Sequence, residues 1–300
     1  MTVYNAPFAK LNCKTAVALG FFDGVHVGHK TVIENAVKYS RENNIPAVVW
    51  TFINSPKKSV LSITDNDERK ALFETLGVDI LIAFPFSEDV KGLTKDKFVN
   101  TVLKENLNAE KVFCGFNYSF GAGGKGTPEE LKQLCEKQDI SVEISKEISV
   151  DGETVSSTRI REYIENGFPE KASRLLGRPY SISGTVINGK KLGRTLGFPT
   201  ANVNLPKNKV IPKDGVYLTK TEFDGKFYHG ITNIGTNPTV EDKQRRAENY
   251  IFDFCEDIYG NEIKIEFLRF IRGEKKFDSV ESLAEQVKKD IETAKEKVGQ

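Results

Sequence analysis

One change of pattern constrains this chain more than any other feature. Up to Gly177-Arg178-Pro179, short apolar runs alternate with segments of helical spacing; beyond it, runs rich in β-branched and aromatic residues follow one another directly. In the first part Thr15 to Leu19 is a short apolar run, and Val32, Ile33, Ala36 and Val37 then recur at helical spacing. Ile45 to Phe52, Val78 to Phe84 and Lys111 to Gly115 read as buried strands by composition. Between them, Asp65-Asn-Asp-Glu68 opens a helix as a capping box that Gly77 closes, and Thr94 starts a helix carrying Phe98, Val102 and Leu103. Thr127-Pro-Glu-Glu130 opens another. This alternation predicts an α/β domain with a mostly parallel, doubly wound sheet over residues 1–178.

Over residues 179–300 the runs Tyr180 to Ile187, Gly215 to Phe223, Phe227 to Ile234, Glu248 to Cys255 and Ile263 to Ile271 are separated by turn signals such as Phe223-Asp-Gly225. Only the last segment is helical, with Val280, Leu283, Ala284, Val287, Ile291 and Ala294 on one face. An antiparallel β-barrel closed by a terminal helix is the expected second domain. Composition removes several other classes. Lys+Arg number 43 against 42 Asp+Glu, a balance without the basic excess of a nucleic-acid binder. Apolar stretches such as Ala47 to Phe52 are strand-length, too short for a membrane span, and the first residues carry no signal-peptide pattern. Cys13, Cys114, Cys135 and Cys255 form no CxxC pair and read as reduced, mostly buried thiols of a cytoplasmic protein.

Chemistry concentrates in a few segments. Gly20-Phe-Phe22-Asp23-Gly24-Val-His26-Val-Gly28-His29 lies between the first strand and its helix, where glycines allow close backbone approach and the helix start favours anions. Two of the three histidines stand there, as donors that can stabilise charge on a phosphorus under attack. Read alone, the same residues could be a glycine turn whose histidines cap the helix. A metal site there lacks a third ligand nearby in sequence. Ser156-Ser157-Thr158-Arg159-Ile-Arg161 gathers hydroxyls and guanidiniums at another helix start, an arrangement that alone is often only a cap. Asn117, in Gly115-Phe-Asn-Tyr-Ser-Phe120, and Lys125, among Gly123, Gly124 and Gly126, suit a flat ring plus a phosphate, or simply a surface loop.

In the second half, Gly189, Lys190, Lys191, Gly193, Arg194 and Gly197 place three glycines and three cations within nine residues, a loop able to wrap polyphosphate but lacking the Gly-Lys-Ser/Thr of a P-loop. Pro199, Thr200 and Asn202 follow; on an extended strand Thr200 and Asn202 share a face and offer hard oxygen ligands for Mg²⁺. Glu248 opens a strand and by itself reads as a surface carboxylate.

The segments GFFDGVHVGH, TFINSP, GFNYSFG and SSTRIRE resemble the FMN adenylyltransferase module of bacterial bifunctional riboflavin kinase/FAD synthetases, a Rossmann-like nucleotidyltransferase domain. LGRTLGFPTAN, Gly215-Val-Tyr217, Asn233-Ile-Gly235 with Pro238-Thr239, and Glu248 followed by Asp253 resemble the riboflavin kinase module. The resemblance implies that ATP and Mg²⁺ convert riboflavin to FMN in the second domain, and that ATP and FMN give FAD and pyrophosphate in the first. It also implies roles by position. His26 and His29 would hold the ATP phosphates with Gly20, Phe22, Asp23, Gly24 and Gly28; Ser156, Ser157, Thr158 and Arg161 would grip pyrophosphate. Asn54, Ser55, Asn117 and Lys125 would lie near the flavin or nucleotide. Thr200 and Asn202 would hold Mg-ATP beside the glycine-rich loop, and Glu248 would act as base. Ser55 stands where the family commonly has histidine, and it cannot carry charge. The implied partners are small molecules, with no nucleic acid or membrane. Two other readings remain beside this one: a chain with one active module, and a flavin-sensing regulator, whose signature would be a basic stripe or an eroded His-x-Gly-His.

Overall fold

The apolar runs of the first half become one parallel sheet. In the computed structural model, which describes residues 1–56, 60–189, 193, 196–236 and 245–298, β1 (Thr2–Tyr4), β2 (Thr15–Leu19), β3 (Ala47–Phe52), β4 (Ile80–Phe84), β5 (Ala109–Gly115) and β6 (Ser141–Ser145) lie in the order β1-β4-β3-β2-β5-β6. Every pairing is parallel. α1 (Val27–Asn43) and α2 (Asn66–Thr75) cover one face; α3 (Glu88–Lys91), α4 (Lys95–Lys97) with its continuation Phe98–Asn106, and α5 (Pro128–Glu136) follow. Alternation along the central strand assigns the two cores: Val17 and Leu19 pack with Trp50, Phe84 and Phe98, whereas Ala16 and Ala18 pack with Ile33, Ala36 and Phe73. Both expected capping boxes form, at Asp65/Glu68 and Thr127/Glu130. The helix expected from Thr94 widens into π-geometry from Phe98, with the Leu107 N–H donating to Val102 O.

A small hairpin, β7 (Ser149–Val150) and β8 (Glu153–Thr154), leads to α6 (Ser157–Glu165) and α7 (Pro169–Leu176). The consecutive strands β9 (Tyr180–Ile187), β10 (Ala201–Asn204), β11 (Gly215–Phe223), β12 (Lys226–Thr236), β13 (Arg245–Ile251) and β14 (Glu262–Arg272) then close an antiparallel barrel in the order β10-β13-β12-β11-β14-β9. Asp224 (φ 49°) and Gly225 (φ 70°) make the β11–β12 turn, a left-handed pair that matches strand twist. Inside the barrel Thr219 and Thr232 share a hydrogen bond of 2.8 Å, and Asn249 Nδ2 donates to Thr221 Oγ1 at 2.7 Å. β13 begins earlier and ends earlier than the run Glu248 to Cys255 suggests.

α8 (Val280–Val298) packs Val287, Ile291 and Ala294 against Val216, Leu218 and Ile231. Its apolar stripe is used only in part, since Val280 is 48% exposed. The chain divides into two compact units, Met1–Ser157 and Thr158–Gln300. The change of pattern at residue 178 comes later because α7 packs on β14 and β9, which draws the intervening helices to the barrel. Among the described residues no helix is long and apolar enough to cross a membrane. All four thiols are free, but Cys13 and Cys255 are exposed, contrary to the reading of mostly buried cysteines. Burial pushes the Cys114 and Cys135 thiols up to about 12, so both are protonated at neutral pH.

Candidate active sites

Strand order sets the first site. β3 lies on one side of β2 and β5 on the other, so segments leaving their carboxyl ends surround a topological switch point, where open α/β sheets bind ligands. Gly20 to His29, Asn54 with Ser55, and Asn117 to Lys125 all lie on segments that leave these strand ends.

The turn after β2 is strained. Phe22 (φ 53°), Gly24 (φ 81°) and Val25 (φ 39°) all have positive φ, a region that a β-branched residue enters only when its surroundings dictate it. A Cβ on Gly20 would stand 2.7 Å from the Phe22 ring, so that position admits no side chain. The turn delivers His26 as the N-cap of α1, its Nδ1 accepting from the His29 N–H at 3.2 Å. An accepting Nδ1 makes Nε2 the donor nitrogen of a neutral ring. The two imidazoles stack with centroids 3.5 Å apart and planes 18° apart, above the positive end of the α1 dipole. Gly28 leaves space beside the His26 ring.

Two buried charges brace this turn. The Asp23 carboxylate, 2% exposed, accepts from the Ile63 N–H at 2.9 Å and the Thr64 N–H at 3.3 Å, while Thr64 Oγ1 accepts from the Gly24 N–H at 3.0 Å. Asp23 thus braces the 63–64 backbone, and Phe22 points into the core against Phe73. Arg69, 4% exposed, donates to Phe21 O and Phe52 O, each at 2.8 Å. Burial holds its pKa below the usual guanidinium range, partly offset by Asp23 and Asp65. Ser157 Oγ donates to Asp23 O at 3.0 Å, which joins the Ser-Ser-Thr segment to the histidine turn. Thr158 and Arg161 continue α6 into the second unit, exposed and half-buried respectively. Asn54 Oδ1 accepts from the Phe86 N–H at 2.8 Å, and Ser55 is half-buried beside it. Asn117 and Lys125 are exposed on a loop closed by the Phe120–Gly126 backbone pair.

The second site is made by register. Asn202 on β10 stands directly opposite Glu248 on β13, and Glu248 stands directly opposite Asn233 on β12. Directly opposed residues of antiparallel strands share a face with Cβ atoms about 5 Å apart. A carboxylate therefore sits between two amides on one barrel face. Asn202 is buried and turns its Nδ2 toward Thr200 O (3.4 Å) and Thr200 Oγ1 (3.5 Å). A Cβ on Gly193 would stand 2.4 Å from Phe198 O, so that glycine is required by close backbone approach, and one on Gly189 would stand 2.5 Å from Asn202 Nδ2 and would displace that amide. A cavity of about 220 Å³ opens beside them, lined by Gly189, Pro199, Thr200 and Asn202 and by the segment Phe254 to Tyr259. Gly197 turns with φ 84°. Lys191 and Arg194 lie outside the described residues, as do Pro238 and Thr239.

Two features of these sites escape a reading of the sequence, and a third, Asn233, lies in the kinase-like motif with no role assigned by it. Arg69 follows a capping box and looks like a solvated helix residue. Asn233 becomes a neighbour of Glu248 only through register. The cavity wall from Phe254 to Tyr259 carries a hint in its Tyr259-Gly-Asn261 turn, which marks a chain reversal but no site.

Comparison with known proteins bears on both halves. Residues 9–159 match the FAD synthetase family and residues 176–298 match the riboflavin kinase family. A bifunctional riboflavin kinase/FMN adenylyltransferase from Bacillus subtilis (strain 168) is 37% identical over 94% of this chain and 92% of its own length. The protein of the same description from Listeria monocytogenes is 39% identical over 91% of this chain and 89% of its own. A crystal structure described as a macrolide-efflux protein from Streptococcus pneumoniae superposes with a TM-score of 0.90 at 35% identity, covering 98% of this chain and 99% of that one.

Proposed function

The chain belongs to the bifunctional riboflavin kinase/FMN adenylyltransferase family, and from that premise we propose that it builds FAD in two ATP-dependent steps. The barrel transfers the γ-phosphoryl of ATP to the 5′-hydroxyl of riboflavin, giving FMN and ADP. The sheet domain then joins FMN to the adenylyl group of a second ATP, giving FAD and pyrophosphate. The efflux role named for the Streptococcus pneumoniae structure is not carried to this chain, whose two halves match synthetase and kinase families.

In the barrel, Glu248 accepts the proton of the riboflavin hydroxyl as the new P–O bond forms, because a neutral primary alcohol is a poor nucleophile. The observation that supports this role is its register opposite Asn202, which lines the cavity. Thr200 and Asn202 present oxygen donors, a set that fits a hard divalent cation such as Mg²⁺. When bound, Mg²⁺ would neutralise phosphate charge. Gly189, Gly193, Gly197 and Pro199, with Lys191 and Arg194, wrap the polyphosphate.

In the sheet domain, His26 and His29 donate toward the phosphate oxygens at the dipole end of α1, while Gly20, Gly24 and Gly28 admit the nucleotide. Ser156, Ser157, Thr158 and Arg161 hold the departing pyrophosphate. Asn54, Ser55, Asn117 and Lys125 border the flavin or adenine. Phe22 and Asp23 serve this site by shaping its turn. The substrates are soluble small molecules, and a cytoplasmic location suits them.

Incubation with ATP, Mg²⁺ and riboflavin, followed by chromatography of the flavins, tests the whole reading. FMN should appear first and FAD second. A chain that phosphorylates riboflavin but never makes FAD would leave the kinase half standing and remove the other; flavin binding without turnover would favour a regulator.

A further inference from the structure

Arg69 is the one guanidinium in the sheet domain that the two reactions leave without a role and that is nearly withdrawn from solvent. It projects from the first turn of α2; Nη2 donates to Asn66 Oδ1 of its own helix at 2.5 Å, and its other hydrogen bonds go to the carboxyl ends of two adjacent parallel strands. Nη1 donates to Phe21 O and Nη2 to Phe52 O, each at 2.8 Å, with Ile53 O at 3.4 Å from Nη2. Its charge centre lies 4.9 Å over the Phe21 ring. Thr51 Oγ1 donates to the same Phe21 carbonyl at 3.1 Å. Phe21 O is thus held by two side chains immediately before Phe22, where the backbone enters positive φ. The other carbonyls that Arg69 holds immediately precede Asn54 and Ser55.

A buried cation spent on backbone carbonyls and one side-chain amide oxygen is a costly way to stabilise a fold. Desolvation opposes it, and apolar packing of similar volume generally serves stability as well. What the arrangement supplies is a fixed distance between two segments. We propose that Arg69, seconded by Thr51, is a positioning residue for adenylyl transfer: it locks the turn that carries His26 and His29 in one frame with the Asn54–Ser55 segment. This rests on the reading of the sheet domain as the adenylyl-transfer module. The role differs from binding, because no substrate atom need touch Arg69. Displacing aligned groups by about 1 Å can cost on the order of 10²-fold in rate while ground-state binding survives.

The test uses the full chain, which provides its own controls. Riboflavin phosphorylation in the barrel reports on the chain as a whole, and Trp50, the single tryptophan and 3% exposed in the sheet core, reports on the fold around the site by its emission. Arg69→Lys keeps the charge but cannot bridge both strand ends; Thr51→Val removes one donor and little volume. Arg69→Lys should lower kcat for FMN-to-FAD conversion about 10-fold to 10²-fold, with KM for ATP within about threefold of wild type. Thr51→Val should lower it by a smaller factor in the same sense. Kinase turnover and native Trp50 emission should persist in both variants. A wild-type kcat in Arg69→Lys overturns the proposal. So does a loss of FAD formation that follows a loss of native Trp50 emission, since Arg69 would then be structural. If the wild-type chain forms no FAD from FMN, the adenylyl-transfer reading itself falls, a result distinct from either.

Discussion

At the sheet edge, His26 and His29 stand at the end of a turn in which Phe22, Gly24 and Val25 all have positive φ. In the barrel, Asn202, Glu248 and Asn233 stand in regular strands, opposite one another in an unbroken ladder. The ladder holds the second set, since β10, β13 and β12 are each hydrogen-bonded to a strand on both sides through alternating residues. The first set needs props from elsewhere in the chain: Asp23 on the Ile63 and Thr64 amides, Arg69 on two strand ends, Ser157 on Asp23 O. A site on strands is thus vulnerable mainly at its reacting groups. One on a strained turn is vulnerable also at residues that never meet substrate.

The sharpest test of the strand site is Glu248 itself. Glu248→Gln is nearly isosteric and leaves the β10–β13–β12 register in place, so it removes a base and little else. Riboflavin phosphorylation at saturating substrate should fall about 10²-fold to 10⁴-fold, with FMN-to-FAD conversion unchanged. Wild-type kinase turnover would make Glu248 an ordinary surface carboxylate. The matching test of the turn site is His29→Ala. It should cost roughly 10²-fold to 10³-fold in FAD formation and nothing in FMN formation. Equal loss of both activities would dissolve the contrast between independent sites.

The contrast also explains what could be read in advance. Gly20 to His29 is contiguous, so its glycines and histidines can be singled out as a candidate phosphate turn without any knowledge of the sheet. Asn202, Asn233 and Glu248 are scattered, and each alone looks like a polar residue on a strand; only the pairing register makes them neighbours. The alternating and consecutive strand patterns predict both sheets because periodicity reports burial directly. They do not predict where the units divide, because α6 and α7 look like any helices and their allegiance to the barrel depends on tertiary packing. Asp23 illustrates the reverse case. A carboxylate inside a glycine-rich motif invites a role toward the ligand, and nothing in the sequence signals that it also accepts from the 63–64 backbone.

A smaller effect is expected where the barrel is closed from outside. Asp290, 2% exposed, accepts from Arg272 Nε at 2.9 Å and Nη2 at 2.7 Å, and from Gln286 at 2.9 Å, which ties α8 to β14. Asp290→Ala leaves a partly buried guanidinium without its carboxylate and should destabilise the barrel by about 3 kcal/mol, the lower end of the range for broken buried pairs because Arg272 keeps some access to water. Urea unfolding followed by kinase activity should register the loss, while Trp50 emission should hold to wild-type urea concentrations. Coincident loss of both signals would mean that the two domains unfold as one unit.

The smallest effect belongs to the opposite edge of the parallel sheet, away from the strained turn. Asp79 accepts from Arg41 Nη1 at 2.7 Å and from the Ala47 N–H at 2.8 Å, pinning the start of β3 to the end of α1. Burial alone would raise its pKa, but the hydrogen bonds from Arg41 and Ala47 outweigh burial and hold it below the ordinary value of 3.8. A carboxylate whose folded pKa is depressed contributes stability that is fully present above the unfolded value and is lost as pH falls through the folded one. Its side chain is 36% exposed, so screening keeps the contribution below about 1 kcal/mol. Asp79→Asn should therefore lower the stability of the sheet domain slightly at pH 7. The gap between variant and wild type, measured by Trp50 emission in urea, should narrow as pH drops below about 4. Both activities should be untouched at neutral pH, since Asp79 braces the amino ends of the strands and not the turn. A gap that is constant from pH 7 to pH 3 would show that Asp79 acts through packing alone. A selective loss of FAD formation would show that strain at the carboxyl edge is transmitted through the whole sheet, and that the turn depends on more of the domain than its three nearby props.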